Sequence, residues 1–454
     1  MALTALTGCK KLKNFGDTNV NPNDINDPST YAILTGVLTG ISGWATDGAA
    51  TVWVQYASES QYPGNGLYAV PQFGMGTYTG SLLNLKTIID QNKGADEVAV
   101  ARVLTQYIYW HLTDALGDIP YSDALKGAAA KYDKQEDIYK GMIAELKAAK
   151  AQFVDNGALR GDILNGNNVP KWKKFANSLR AMMALQMSKR YPGAAEYAAT
   201  EFKAAVADGV IENVADNIQL VFPGTDNFKN PYFLAHETNR DNGESVFIYN
   251  LLNGFGDGRQ AAFGSSNVPV IYGVKEATIN QWVKDNPNWS RLLADNKRLA
   301  TTPVVMLSAS QLYLARAEAA VRGWTTEDKT AMLTAGVNAS FSQWGITLPA
   351  AAYFTQPGVV LDGTNEIKKV AEQAYLASFP NGRAGWNIYR RTGFPVLTPA
   401  VDPLNAAHTT IPRRYTFALG GSSEYSLNPE GIASSIATLT PATDVQESRM
   451  WWDK

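Results

Sequence analysis

Apolar residues recur at helical spacing over most of the chain, and the densest stretch is 98–116. Val100, Val103, Leu104, Tyr107, Ile108, Leu112, Ala115 and Leu116 form one stripe, and Tyr109 and Trp110 widen it nearly all round. Only a line through Arg102, Gln106 and Thr113 stays polar. A helix apolar on most of its circumference belongs inside a large fold, so other helices must cover it. Asp96 is the expected N-cap, Gly117 the left-handed stop, and Pro120 cannot continue the helix.

The same reading gives helices over 31–54, 81–91, 134–153, 170–190 and 194–207. Further on it gives 308–322, 326–344, 366–378 and 383–391. The stretch 134–153 is amphipathic, with Ile138, Met142, Leu146 and Ala149 facing inward. Segment 56–80 breaks the period with Gly64, Gly66, Gly74, Gly76 and Gly80 among aromatics, and reads as loop. Segment 210–303 is rich in Asn, Gly and Pro, with strand-like pieces at 245–249 and 268–272. The tail from 392 is irregular. Helices in rough pairs, about four of them, suggest tetratricopeptide-like hairpins interrupted by one irregular, partly β insert. The domain reading is a tether over 1–29 followed by one domain over 30–454. Within that domain, 31–209 and 304–391 form the helical scaffold, 210–303 the insert and 392–454 a cap.

Composition narrows the function. Of 454 residues, 45% are hydrophobic and 18% charged, the latter below the usual quarter, with a net charge of −2. A charge-driven grip on nucleic acid or an anionic membrane does not fit, and a surface of Asn, Thr, Ser, Gly and aromatics suits an extracellular or periplasmic setting and neutral ligands. No run of 18 apolar residues is present. Segment 10–29 is Asn- and Asp-rich but lacks the EF-hand spacing, so it reads as a tether of Asx-turns. The single cysteine excludes an internal disulfide. It stands in Leu6-Thr7-Gly8-Cys9, where small residues before a cysteine near the N-terminus fit either a lipobox, with Cys9 carrying the lipid, or a lone cysteine in an irregular N-terminus.

Several segments together resemble the SusD/RagB family of Bacteroidetes outer-membrane lipoproteins, in its second SusD-like branch. They are YWHLTDALGDIPYSDAL at 109–125, KWKKFANSLRAMMALQM at 171–187, LYLARAEAAVRGW at 312–324, FPNGRAGWNIYRRTGFPVL at 379–397, IPRRYTFALGGSSEYSLNP at 411–429 and the closing RMWWDK at 449–454. The resemblance implies a mainly α fold of four tetratricopeptide-like hairpins with an irregular subdomain. It also implies an acylated cell-surface protein that binds glycan and hands oligosaccharide to a SusC-type TonB-dependent outer-membrane transporter. Arg390, Arg391, Arg413, Arg414, Trp451 and Trp452 match its scaffold motifs and are read as structural. Ligand contacts vary with the glycan and do not carry over by motif.

The residues themselves point to binding rather than catalysis. His111 lies three residues from Asp114 on the buried helix and reads as a core histidine. No Gly-x-Ser-x-Gly elbow and no HExxH zinc motif occur, and GDGRQ at 256–260 lacks the lysine of a phosphate loop. No cofactor and no metal are called for. A glycosidase needs only two carboxylates, and 42 acidic residues always offer some pair, but none stands alone among aromatics.

Aromatics in loops are the positive signal. A pyranose face stacked on Trp or Tyr removes roughly 40–60 Å² of apolar surface, about 1–1.5 kcal/mol, so three rings give about millimolar affinity. The candidates are Tyr62, Tyr68, Phe73 and Tyr78 in the first loop and Phe255, Tyr272, Trp282 and Trp289 in the insert. Asn65, Asn253, Asp257 and Arg259 are candidate hydroxyl partners. At least two rings are expected to line one open cleft. The alternative readings are a protein-interaction scaffold without a sugar site and a subunit for peptide or other nutrient uptake. A flat exposed apolar patch would favour a protein partner.

Overall fold

The computed structural model describes residues 29–454 except 70–71, 74–75, 127–129, 226–227, 239 and 418–427; the side chains of 72–73 and 238 are likewise outside the description. Cys9 and the tether therefore lie outside the described residues.

The helices are α1 (Thr30–Gly40), α2 (Gly48–Trp53), α3 (Leu83–Gln91), α4 (Ala95–Leu116), α5 (Gln135–Gln152), α6 (Val169–Gln186), α7 (Tyr197–Ala207), α8 (Pro231–Thr238), α9 (Val246–Phe255), α10 (Gln260–Phe263), α11 (Glu276–Asp285), α12 (Ala309–Val321), α13 (Lys329–Trp344), α14 (Glu366–Ser378) and α15 (Gly382–Thr392), with a late helix over Pro429–Ala437. Strands are short: β1 (Ala57–Glu59), β2 (Gln72–Phe73), β3 (Ile119–Pro120), β4 (Tyr132–Asp133), β5 (Ile218–Leu220), β6 (Asn242–Glu244), β7 (Val304–Leu307) and β8 (Thr416–Phe417). They pair as two-stranded ribbons, β1 with β6, β3 with β4 and β5 with β7 antiparallel, β2 with β8 parallel. The fold is mainly α. Helices α4 and α5, α6 and α7, α12 and α13, and α14 and α15 pack as hairpins. Contacts of α5 with α6, α6 with α12 and α12 with α14 join them in series.

Local chemistry explains the boundaries. The Asn168 side chain accepts from the Lys171 amide, and Pro170 occupies the first turn of α6. Ser308 and Gln311 form a reciprocal capping box on α12. Asp328 caps α13, and Gly345, at φ 62°, ends it.

Several sequence expectations change. The helix expected over 31–54 is broken into α1, a 3-10 turn at Ile41–Trp44 and α2, with Asp47 capping the restart. Helix α4 starts at Ala95 after Gly94, so Asp96 is inside its first turn. The Asp96 carboxylate instead accepts from the Val154 amide at 2.8 Å, tying the α5 exit to α4. Gly117 has positive φ, at 98°, but its ψ of −125° lies outside the left-handed helical region. The strand-like piece 245–249 is the start of α9, capped by Ser245; the strand is the preceding β6. Segment 268–272 contributes only an isolated bridge, Val270 to Ser245.

One apolar cluster runs from Leu34 to Trp452 and takes in most of α4, α5 and α6. The scaffold charges are held inside it. The Arg390 guanidinium lies 3.4 Å from the Trp386 ring centre and 4.7 Å from that of Trp452. It donates to the carbonyls of Asp114 and Arg413. Burial brings the Asp114 carboxyl up to about 6, although Arg390 opposes this, as do bonds from Tyr139, Asn387 and Trp452. Arg391 pairs with Glu318, Arg413 with Asp453 and Arg414 with Asp444. His111 is 6% exposed and stacks on Trp44, as expected of a core histidine.

Candidate functional site

The two aromatic loop groups do meet, but as a packed seam. Tyr68 is 1% exposed, and its hydroxyl accepts from the Ala400 amide at 2.8 Å. Tyr272 lies beside it, with a ring carbon 3.8 Å from where a Cβ on Gly66 would stand. Tyr78 is buried, donating to the Pro120 carbonyl at 2.6 Å. Trp289 is buried against Val270 and Ile279, and the Arg291 guanidinium sits 3.1 Å from its ring centre. These four rings therefore present no face to solvent, contrary to expectation. Their apolar area is removed from water by the chain itself. Phe255 and Trp282 are half-buried, Trp282 against that same Val270–Trp289 cluster. The Phe73 side chain lies outside the described residues.

The polar candidates divide as well. Asp257 and Arg259 are buried and locked in one network. Two side-chain bonds, at 2.6 and 3.0 Å, and one from the Arg259 backbone amide, at 2.9 Å, join them, while Tyr353 donates to Asp257 and Arg259 donates to Gln373. A buried, paired charge of this kind holds a fold together and is closed to a sugar. Asn65 is turned inward, its amide donating to Glu59 Oε1 at 3.1 Å, and the Asn65 and Gly66 backbone amides grip the same carboxylate. Asn253 is exposed on α9.

Tyr62 is different. It is 72% exposed and takes a left-handed φ of 51°. Its neighbour Gln61 donates to the Asp241 carboxylate, and the Ser60 amide donates to the Asp241 carbonyl at 2.7 Å. The β1–β6 ribbon thus sets Tyr62 next to residues 240–242, where Arg240 also has positive φ, 55°. Side chains held in this region cluster at binding sites.

Residues 240–242 form one wall of a cleft of about 180 Å³. Thr46, Thr51 and Ala57 also line it, and Tyr232 and His236 come from α8. The Tyr232 hydroxyl donates to the Pro380 carbonyl at 3.0 Å. Arg298 closes the far end, its guanidinium donating to the Leu292 carbonyl at 3.0 Å and ion-paired to Asp295. Burial and the charges of Arg298, Arg240 and Arg291 hold the His236 imidazole below its usual range, so it stays neutral at pH 7. The cleft contains polar donors and acceptors and one tyrosine ring, with Tyr62 beside it. Sequence reasoning missed residues 231–242 and 298, because the segment carries no motif; the only signal was His236 and Arg240 in an irregular region.

This fold and this cleft can be set beside known proteins. Residues 22–418 match the model of the SusD-like family described as starch-binding and associating with the outer membrane. The chain belongs to that family. A SusD homologue from Bacteroides fragilis superposes with a TM-score of 0.82 at 21% identity, covering 94% of this chain and 100% of that one. A chitin-binding SusD homologue from Flavobacterium johnsoniae gives 0.81 at 24% identity, covering 94% and 98%. A SusD homologue from Bacteroides uniformis gives 0.79 at 22%, covering 94% and 100%. No curated protein matches the sequence. Among the described residues, no helix is long and apolar enough to cross a membrane. For a member of this family, the buried carboxyls raised furthest, Glu244 to about 7 and Asp114 to about 6, are 0% and 1% exposed and sit in scaffold positions rather than in the cleft.

Proposed function

We propose that the protein is a glycan receptor of the outer membrane, facing outward and held by lipid on Cys9. It captures oligosaccharide and passes it to a SusC-type TonB-dependent transporter, without hydrolysing it. Family membership supports the sugar and the membrane setting. The observation that carries the reading is the exposed Tyr62 ring beside the polar cleft of residues 231–242. One stacked ring with a few hydroxyl contacts gives weak binding, which suits a relay that must release its cargo. The chitin-binding relative makes chitooligosaccharide a sensible first probe.

The test is affinity gel electrophoresis against a polysaccharide panel, with the wild type and Tyr62→Ala. Retardation by at least one glycan, lost in the variant, is expected. Migration unchanged on every gel would overturn the reading. Reducing-end release on incubation with the same glycans is expected to be absent.

A second reading, a scaffold for a protein partner, has one observation in its favour. Val396, Val401 and Leu404 are 67%, 69% and 65% exposed. They stand on a segment bonded to the first loop and the insert, Leu404 to Leu67 and Asp402 to Gly273. A transporter docking there would combine both readings, and co-purification with the transporter, tested with Val401→Glu and Leu404→Glu, separates them.

A further inference from the structure

We infer that the cleft beside Tyr62 selects acidic oligosaccharides, taking a carboxylate or sulfate group of the sugar between Arg240 and Arg291. The inference rests on the glycan-receptor reading and names the substrate class for that site.

Arg240 and Arg298 line the cleft, and Arg291 adjoins it, next in sequence to the lining residue Leu292 and bridged to Gly243. Arg298 is committed: it donates to the Leu292 carbonyl, and its charge is met by Asp295. Arg291, which bridges Gly243 through its backbone, lies flat on Trp289, and its Nη1 is enclosed with no hydrogen-bond partner. Arg240 is exposed at the rim, and among the described residues no carboxylate pairs with it or with Arg291. The acid next along the chain, Asp241, is occupied by the Gln61 amide. His236, neutral here, offers Nε2 to Arg298 at 3.4 Å. Burial and the charges of Arg240 and Arg298 pull Arg291 down to about 10, against the opposing charge of Asp295.

Arg240 and Arg291, brought together by the Gly243–Arg291 bridge and without an ion-pair partner among the described residues, leave positive charge that Asp295 offsets only in part, in a protein of net charge −2. An anion bound beside the two guanidiniums would relieve the repulsion between them. A guanidinium meets a carboxylate or sulfate with two parallel N–H donors, a geometry a neutral hydroxyl cannot match. Stacking on Trp289 fixes the orientation of one of those donors before the ligand arrives. The Tyr62 ring then offers a flat surface to the next sugar unit.

The test is calorimetric titration of the whole chain with four oligosaccharides of similar length. They are an oligogalacturonide (carboxylate only), a carrageenan oligosaccharide (sulfate only), a maltooligosaccharide and a chitooligosaccharide. At least one acidic ligand should bind about tenfold more tightly than either neutral one, and its affinity should fall on raising sodium chloride from about 0.05 to about 0.5 M. Which acidic ligand binds distinguishes carboxylate from sulfate. Arg240→Gln, a surface change, should reduce the acidic-to-neutral ratio about tenfold, and Arg291→Gln should do the same. Arg160→Gln, at an exposed arginine on the α5–α6 connection, should leave it unchanged. Equal affinity for acidic and neutral ligands, or a ratio untouched by Arg240→Gln, overturns the inference and leaves the receptor reading standing. Binding of none of the four, together with no retardation on the polysaccharide panel, overturns both.

Discussion

Glu318→Gln is the sharpest test of how the helical scaffold is held. Glu318 stands on α12 at 1% exposure, between two guanidiniums. Arg391 of α15 donates to it at 2.7 and 3.1 Å, and Arg322 donates at 2.8 and 3.0 Å. Burial alone would push the carboxyl up, but the charges and hydrogen bonds of Arg391 and Arg322 outweigh it and bring it from 4.5 down to about 2. A depressed carboxyl adds stability that is present above its unfolded value and lost as pH falls toward its folded one. The difference between 4.5 and 2 corresponds to roughly 3 kcal/mol at pH 7, of which roughly 1.5 kcal/mol remains at pH 3. Leaving the buried Arg391 without a charge partner gives a similar figure, since breaking a buried pair costs about 3–5 kcal/mol. Unfolding entropy of about 2.1 cal/mol/K per residue makes each kcal/mol about 1 °C in a chain this long. Differential scanning calorimetry should therefore show Glu318→Gln about 3 °C below wild type at pH 7 and about 1.5 °C below at pH 3. The double variant Glu318→Met with Arg391→Met should recover most of the loss. A deficit under about 1 °C at pH 7, or one that does not shrink in acid, would refute the reasoning.

Other outcomes follow from the same structure. Tyr62→Ala should abolish glycan retardation with Tm unchanged, whereas Tyr68→Ala, at 1% exposure, should lower Tm by about 3–5 °C. Glu244 is raised to about 7 by burial, against the opposing bonds from Ser290 and Gln260, so its stabilising share is complete below 4.5 and is lost as pH rises through about 7. Wild-type Tm should fall between pH 5 and pH 8 by about 2–3 °C more than that of Glu244→Gln, read by scanning fluorimetry. Gly382→Ala would put a Cβ 2.2 Å from the Thr51 amide nitrogen, so α15 must move off α2. A loss of about 1–3 kcal/mol is expected in thermal unfolding, and an unchanged Tm would show that the two helices are not in firm contact.

The helices were legible because their signals are local. A 3.6-residue apolar period, Pro170 behind Asn168 and the Ser308–Gln311 box each act within a turn or two, whatever the rest of the chain does. The errors came where a distant partner decided. Asp96 reads as a cap, but the distant Val154 amide claims its carboxylate; 245–249 reads as a strand, but its distant pairing is only an isolated bridge at Val270, and a local Ser245 cap starts a helix instead.

The sequence by itself determined the helical framework, its hairpin order and the family, because periodicity and motif segments survive in one dimension. Only the tertiary structure decided which aromatics are exposed and which are core. Tyr62 and Tyr68 stand six residues apart in the same glycine-punctuated loop, and nothing local tells them apart. Tyr68 is closed off by Ala400 and Tyr272, more than 200 residues away in sequence, while no such segment covers Tyr62. The cleft beside Tyr62 is likewise assembled from α2, α8, β6 and the 292–298 loop. Burial is a property of contacts between segments, so a binding surface appears only when those segments are brought together.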